Sequence, residues 1–334
     1  MGPRSEAPSR GRAEPDEAEV PLGRYLASTE KRVRDRAIRS LAAFVLMRAQ
    51  EGGLSMSPAE LSKLWKGLFY CFWMSDKPLV QQQLAQELSE LVLMVAGIDT
   101  RSEEAQVASL RHALAALDFY QGFWHTMQAE WLGVDKFRID KYYLLMRRFL
   151  QAGCQLLLVY RCDALLVDRY VHIMRGTDGP LSSNNVHVPA SITYHICDTF
   201  LAELEAAVAA HAEASPAVPT IELLAPFMDL AATSTSKQVH ERVMSRVIDP
   251  FLEACERRLE APSPKQRRPT EGDEPLEALL THTRLDTGVA SCSDVYSAAL
   301  QRLMGAASAS DTYAPSRRQL YARWHEAAEA SDLV

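Results

Sequence analysis

Glycine and proline are scarce in this chain, 15 and 17 of 334 residues, while Leu, Ala, Glu, Gln and Arg abound. That balance disfavours a turn-rich sandwich or barrel and favours helices. The six cysteines, Cys71, Cys154, Cys162, Cys197, Cys255 and Cys292, are scattered with no paired C-x-x-C spacing. Neither a disulfide framework nor a zinc site is indicated, and a reducing intracellular compartment fits. Apolar runs such as the one within residues 154–160 fall well short of the ~20 residues that cross a bilayer. Residues 1–20, rich in Pro, Glu, Arg and Ser, lack the apolar core of a signal peptide and read as a disordered segment on a soluble protein. Nor is there a basic excess: 36 Lys and Arg against 43 Asp and Glu give a net charge of −7. A protein that coats nucleic acid over its whole surface is excluded, and any RNA contact must be local. Walker A, G-x-G-x-x-G, G-x-S-x-G and H-E-x-x-H signatures are all missing, so no enzyme class, cofactor or metal is indicated.

What is present is apolar residue at helical spacing. Hydrophobic residues make up 47% of the chain, ample for a sizeable core. From Ser28 onward the pattern predicts successive amphipathic helices. In the first, Val33, Ala37, Leu41 and Phe44 form the stripe, and Gly52 and Gly53 end it. In the second, Ser57, Pro58 and Glu60 stand where a capping box belongs, ahead of a stripe of Leu61, Leu64, Trp65, Leu68, Phe69 and Phe72. A third carries Leu84, Leu88, Leu91 and Val95 to Gly97, and a fourth starts near Ser102. A fifth opens around Asp135, with Ile139, Tyr142, Tyr143, Met146, Phe149 and Leu150 on one stripe and Asp140, Lys141, Leu144 and Arg148 facing away. It continues to about Val171 with a kink at Gly153. Residues 175–189 read as a long loop, followed by helices at about 190–212, 219–232, 236–260, 290–306 and 315–330. The expected organisation is a disordered segment at 1–20, a helical solenoid at 21–260, a flexible linker at 261–275 and a partly disordered helical segment at 276–334. The expected fold is all-α, a HEAT-like solenoid of antiparallel helix pairs of roughly 40 residues each.

Some residues could carry chemistry. Asp163 and Asp168 are five apart, which does not put them on one helix face, so they read as solvated or capping carboxylates. His195 and Cys197, with His187 nearby, lack a second cluster to complete a tetrahedral metal site. Phe119, Tyr120, Phe123, Trp124 and Trp131 could stack bases, but their helical spacing reads as core. Basic residues are the sharpest signal. Lys31, Arg32, Arg34, Arg36 and Arg39 share one helix, and Lys136, Arg138, Lys141, Arg147 and Arg148 another. Each set is either a solvated face or a contact for phosphate or an acidic partner. The residues singled out as contacts are Arg32, Arg36, Arg39, Lys136, Lys141 and Arg148.

The run FYQGFWHTMQAEWLGVDKFRIDKYYLLMRRFL at 119–150 carries Phe-Trp, Glu-Trp-x-Gly, Asp-Lys and Arg-x-Asp-Lys elements in order. With LASTEKRVRDRAIRSL near the start, LWKGLFYCFWMSDKPLVQQQLA from Leu64, and later VPASITYHICDTFLAEL and LLAPFMDLAATSTSKQVHERVMSRVIDPFL, it resembles the ribosomal RNA processing protein 1 family over about residues 22–255. The resemblance implies a nucleolar, non-catalytic scaffold of the large-subunit precursor particle (pre-60S), required for precursor rRNA processing. Its implied partners are other assembly factors and, as a further option, the precursor rRNA, with no membrane or small-molecule substrate. Many members of that family continue into a Lys-rich tail, whereas this sequence runs to Val334 through an acidic-leaning segment, so the helical part is expected to carry the function. Composition alone leaves two rivals open: a helical-repeat adaptor outside the nucleolus, and an all-helical enzyme with converging carboxylates or histidines in a deep pocket.

Overall fold

The computed structural model describes residues 25, 28, 30–50, 56–98, 109–214, 217–260, 275–286 and 288–330. The disordered segment expected at 1–20, the Gly52–Gly53 stop, the helix start near Ser102 and nearly all of the linker expected at 261–275 lie outside them. The described residues are all-α apart from one two-residue hairpin. The helices are α1 (Lys31–Gln50), α2 (Pro58–Trp73), α3 (Pro78–Val95), α4 (Leu110–Glu130), α5 (Ile139–Val159), α6 (Ala164–Arg175), α7 (Ala190–Ala210), α8 (Thr220–Thr233), α9 (Lys237–Val243), α10 (Asp249–Glu260), α11 (Glu277–His282), α12 (Cys292–Ser308) and α13 (Ala314–Ala330). The hairpin pairs β1 (Arg284–Leu285) antiparallel with β2 (Gly288–Val289).

Helix α2 forms as its sequence dictates. The Ser57 hydroxyl accepts the Glu60 N–H at 3.3 Å and the Glu60 carboxylate accepts the Ser57 N–H at 2.8 Å, which satisfies two of the donors a helix start leaves unpaired. Of its stripe, Leu64, Trp65, Leu68, Phe69 and Phe72 are buried and Leu61 is half-buried. In α1 the buried face is turned from the expected one: Arg34, Ala37, Ile38 and Leu41 are inside, and Phe44 is exposed. The fifth helical region breaks at residues 160–163, where Arg161 and Cys162 take positive φ (53° and 49°), instead of kinking at Gly153. Gly153 serves packing: a Cβ there would lie 2.9 Å from the Tyr170 ring and 3.1 Å from that of Tyr120. Asp163 then caps α6 by accepting the Leu165 N–H at 3.0 Å. Between α9 and α10 the turn Met244–Ile248 widens to π geometry; Pro250 has no N–H for the Arg246 carbonyl one turn back, so the ladder must adjust there.

The helices pack in two rows. In one, α1 lies on α3, α3 on α5, α5 on α7, and α7 on α9 and α11. In the other, α2 lies on α4, α4 on α6, α6 on α8 and α8 on α12. Apolar stripes broad enough to serve neighbours in both directions permit this arrangement. Aromatic side chains join the rows, the Phe123 and Phe149 rings stacking at 3.7 Å and Trp65 meeting Phe149 at 5.4 Å; within the second row Trp65 meets Phe119 at 4.6 Å and its Nε1 donates to the Phe119 carbonyl at 2.9 Å. The close approach of α2 and α4 requires Gly122, because a Cβ there would sit 2.5 Å from the Trp65 ring.

The segment from 276 onward, expected to stand apart, shares one buried cluster with the preceding helices. Glu205 of α7 accepts the Ala278 and Leu279 N–H groups at the start of α11. Val218 exchanges backbone hydrogen bonds with His282 and Arg284, each 2.8 Å. Arg323 of α13 pairs with Asp249 at 3.0 Å and Glu256 at 3.5 Å.

Candidate interaction surface

The cations separate into those spent on the fold and those left outside. Lys141 does not face away from the core: it is 6% exposed. Its Nζ donates to the carbonyls of Trp73 and Ser75, both at 2.7 Å, and lies 5.6 Å from the Phe72 ring centroid. These carbonyls belong to the C-terminal end of α2 and the turn after it, where unpaired acceptors and the helix dipole favour a positive charge. Burial lowers the Lys141 pKa to about 8, with Arg138 nearby pushing the same way. Arg34, also buried, reaches the same turn, donating to the Ser28 carbonyl at 2.9 Å and the Met74 carbonyl at 3.3 Å. Arg138 pairs with Asp135 and stands 4.6 Å from the Trp73 ring. Sequence elements 119–150 and 64–85, distant in the chain, thus meet at one clamped turn.

Arg147 pairs with the buried Glu203 of α7, and Arg148, half-buried, donates to Gln151 at 3.0 Å. Arg32, Arg36 and Arg39 are exposed on α1, and Lys136 is exposed before α5. The two basic sets do not merge, because α3 lies between α1 and α5 and carries Glu87 and Glu90 into the groove that Asp35 and Arg39 also line. Farther along the row, Asp198 of α7 pairs with Arg242 and Arg246. Charge therefore alternates from helix to helix, which is poor ground for a continuous phosphate track.

The aromatic group is unavailable to bases: Phe119, Tyr120, Phe123, Trp124 and Trp131 are all buried. His195 stacks on Tyr143 at 4.4 Å and its Nε2 meets the Tyr143 carbonyl at 2.9 Å, while burial lowers its pKa. Cys197 is buried, and desolvation pushes its thiol up to about 12; His187 is exposed on the loop before α7. The structure brings no ligand set together around these three, and among the described residues no group of three or more His, Cys, Asp or Glu could hold a metal ion.

Sequence reasoning missed an apolar tip. Between α4 and α5, Leu132 is 92% exposed and Phe137 84% exposed, with Lys136 beside Phe137. The tip is rigidly mounted. Trp131 donates through Nε1 to Ser191 at 2.8 Å and packs on Tyr143 at 5.5 Å, Asp135 accepts the Phe137 N–H at 2.9 Å, and Arg138 closes the other end. The loop at 176–189 approaches the end of α4, where Gln128 donates to the Asp178 carbonyl at 3.0 Å, and it carries a separate exposed apolar residue, Val186, 91% exposed. That loop is itself pinned by Asn184, which donates to the Thr233 carbonyl and accepts from Thr235. The available signal was that Leu132 and Phe137 fall outside the helical stripe while standing among turn residues. Exposed apolar groups that form a contiguous patch mark sites of protein contact.

The model of one protein family, described as nucleolar protein, Nop52, matches residues 17–287. Ribosomal RNA processing protein 1 homolog B of Mus musculus is 33% identical over 241 residues, covering 71% of this chain and 30% of that protein. Homolog A of Homo sapiens is 31% identical over 235 residues, 70% of this chain and 46% of that protein. The Drosophila melanogaster homolog is 29% identical over 233 residues, 69% and 30% of the two chains. The matched stretch thus spans less than half the length of each of these relatives.

Proposed function

The chain belongs to the Nop52 nucleolar protein family, and from that premise we propose that it is a non-catalytic platform in nucleolar assembly of the large ribosomal subunit. It promotes precursor rRNA processing by holding other assembly factors within the pre-60S particle, not by cleaving phosphodiesters. The names of its relatives, all ribosomal RNA processing proteins, support the process. The two-row helix ladder supports the reading of a HEAT-like solenoid, a form whose long ridges suit several partners at once.

The observation that carries the docking role is the apolar tip of Leu132 and Phe137. Its occupant on this reading is a protein surface with an apolar pocket and an acidic rim that meets Lys136. Phosphate is disfavoured there, because Asp135 and Asp140 flank the same cation. A second reading, direct contact with precursor rRNA, is favoured by Arg32, Arg36 and Arg39, exposed on one helix. Purifying the tagged chain from nucleoli and identifying the co-purified proteins and RNAs tests the role. Large-subunit assembly factors and precursor rRNA are expected; their absence, or recovery of cytoplasmic proteins alone, would overturn it.

A further inference from the structure

Four of the cysteines are buried, and desolvation, the largest influence on each, pushes the thiols of Cys71, Cys162 and Cys197 up to about 12 and that of Cys154 higher still. Such thiols are inert at neutral pH. Cys255 and Cys292 differ because they meet. Cys255 is buried on α10, and Cys292, the first residue of α12, is half-buried. The Cys292 thiol donates to the Cys255 carbonyl oxygen at 3.6 Å, and its sulfur lies within hydrogen-bonding reach of the Cys255 thiol. The two are not joined by a disulfide.

Their surroundings make the pair asymmetric. The hydrogen bond from Cys255, aided by Arg258, holds the Cys292 thiol down at about 7 despite its partial burial. The start of the 17-residue α12 acts in the same direction, since its unpaired N–H groups favour an anion. Donating that bond, together with desolvation, pushes the Cys255 thiol far up. Glu256 and Arg258 of α10 bear on the pair, and Asp294 of α12 is held by Ser291. One sulfur therefore ionises in part near neutral pH and is reachable, and the other is a protonated neighbour beside it.

We propose that Cys255 and Cys292 are a reversible thiol modification site whose oxidant is a hydroperoxide and whose product is an intramolecular disulfide. The Cys292 thiolate attacks one oxygen of hydrogen peroxide; an S–O bond forms, the O–O bond breaks, and the departing hydroxide takes a proton to leave as water. Oxidation of Cys292 removes the hydrogen bond that held the proton on Cys255; Cys255 gives up that proton and its thiolate attacks the sulfenic sulfur of Cys292, so that the S–S bond forms, the S–O bond breaks, and the departing hydroxide takes the proton to leave as a second water. Two thiols lose two electrons and one peroxide gains them. The disulfide ties α10 to α12 across the stretch at 261–274, and so fixes the C-terminal helices covalently to the helical body. A dithiol reductant reverses it.

The test uses the purified, reduced full chain. At pH 7 Cys292 should alkylate roughly five- to tenfold faster than a free cysteine, well ahead of the other five. One equivalent of hydrogen peroxide should give a Cys255–Cys292 cross-linked peptide in a non-reducing map, lost on adding dithiothreitol, and a raised melting temperature. Cys255→Ser should stop at a sulfenic acid on Cys292 that dimedone traps. The proposal is overturned if wild-type protein under peroxide carries only sulfinic or sulfonic acid at Cys292, or if Cys292 alkylates no faster than the buried cysteines. Both readings come from the wild-type chain, so they stand even if a variant misfolds.

Discussion

Reversing the charge of Lys141 separates a residue that holds the fold from one that faces a partner. In Lys141→Glu, two charge-assisted hydrogen bonds to the Trp73 and Ser75 carbonyls are lost, each worth roughly 1.5–3 kcal/mol. The Ser75 carbonyl keeps its 3.0 Å bond from Gln81, so the loss there is the smaller one. The new carboxylate meets two carbonyl oxygens at a position 6% exposed, and an uncompensated buried charge typically costs about 3–5 kcal/mol. Taken at their lower ends these contributions make the change cost at least about 4–5 kcal/mol, a large share of the ~5–15 kcal/mol that holds a domain folded. At about 2 °C per kcal/mol for a chain of this size, the melting temperature should fall by roughly 8 °C or more. Lys141→Met removes the bonds but also the desolvated charge, and should cost about 1–3 kcal/mol. Lys136→Glu is the control: an exposed side chain whose change should stay within about 0.5 kcal/mol. Thermal melting followed by far-ultraviolet circular dichroism reads all three. A Lys141→Glu protein that melts within about 1 °C of wild type would refute the clamp and return Lys141 to the surface.

Trp124→Ala should destabilise by about 3–5 kcal/mol through the cavity it leaves, since the ring is fully buried; a mutant that melts like wild type but loses partners would make Trp124 a contact residue. Gly122→Ala, although it raises helix propensity, should cost about 1–3 kcal/mol by overpacking because the added Cβ meets the Trp65 ring at 2.5 Å; a more stable variant in urea would contradict that packing. The Lys141 pKa of about 8 lies below its ordinary value of 10.5, so between those pH values the unfolded chain binds more protons than the folded one and stability gains with rising pH. Urea titrations of wild type and Lys141→Met should therefore diverge above pH 8 in favour of wild type; parallel curves would argue against a desolvated ammonium.

The parts of the fold that were legible in the sequence are those set by local rules. In α2 a capping box and an uninterrupted stripe act within one turn of each other, and the helix and its buried face follow directly. Arg34 and Lys141 were misread for a physical reason. Helical periodicity assigns a long cation to the polar face, but the carbonyls that draw these two inward lie 40 and 66–68 residues away in sequence. The same pull turns the α1 face, so that Arg34 goes in and Phe44 stays out. Gly153 read as a kink because glycine weakens a helix, whereas its lack of a side chain makes room for Tyr120 and Tyr170. Of the candidate contacts, Arg32, Arg36, Arg39 and Lys136 are exposed as their spacing suggested. The tip of Leu132 and Phe137 was only faintly legible, as two apolar residues outside any helical stripe, because apolar residues in a turn carry no period; the mounting of Trp131 and Arg138 shows that they are held out.

The central claim, that this chain works by docking proteins through a rigid apolar tip, meets its most direct test in one sedimentation experiment. Wild type and the variant Leu132→Ser, Lys136→Glu, Phe137→Ser, shown to melt alike, are compared for association with pre-60S particles on a gradient before and after ribonuclease. The account predicts that the folded variant loses most of its association and that wild type keeps its assembly-factor partners after ribonuclease. Undiminished association of the variant, or wild-type association abolished by ribonuclease, would contradict it.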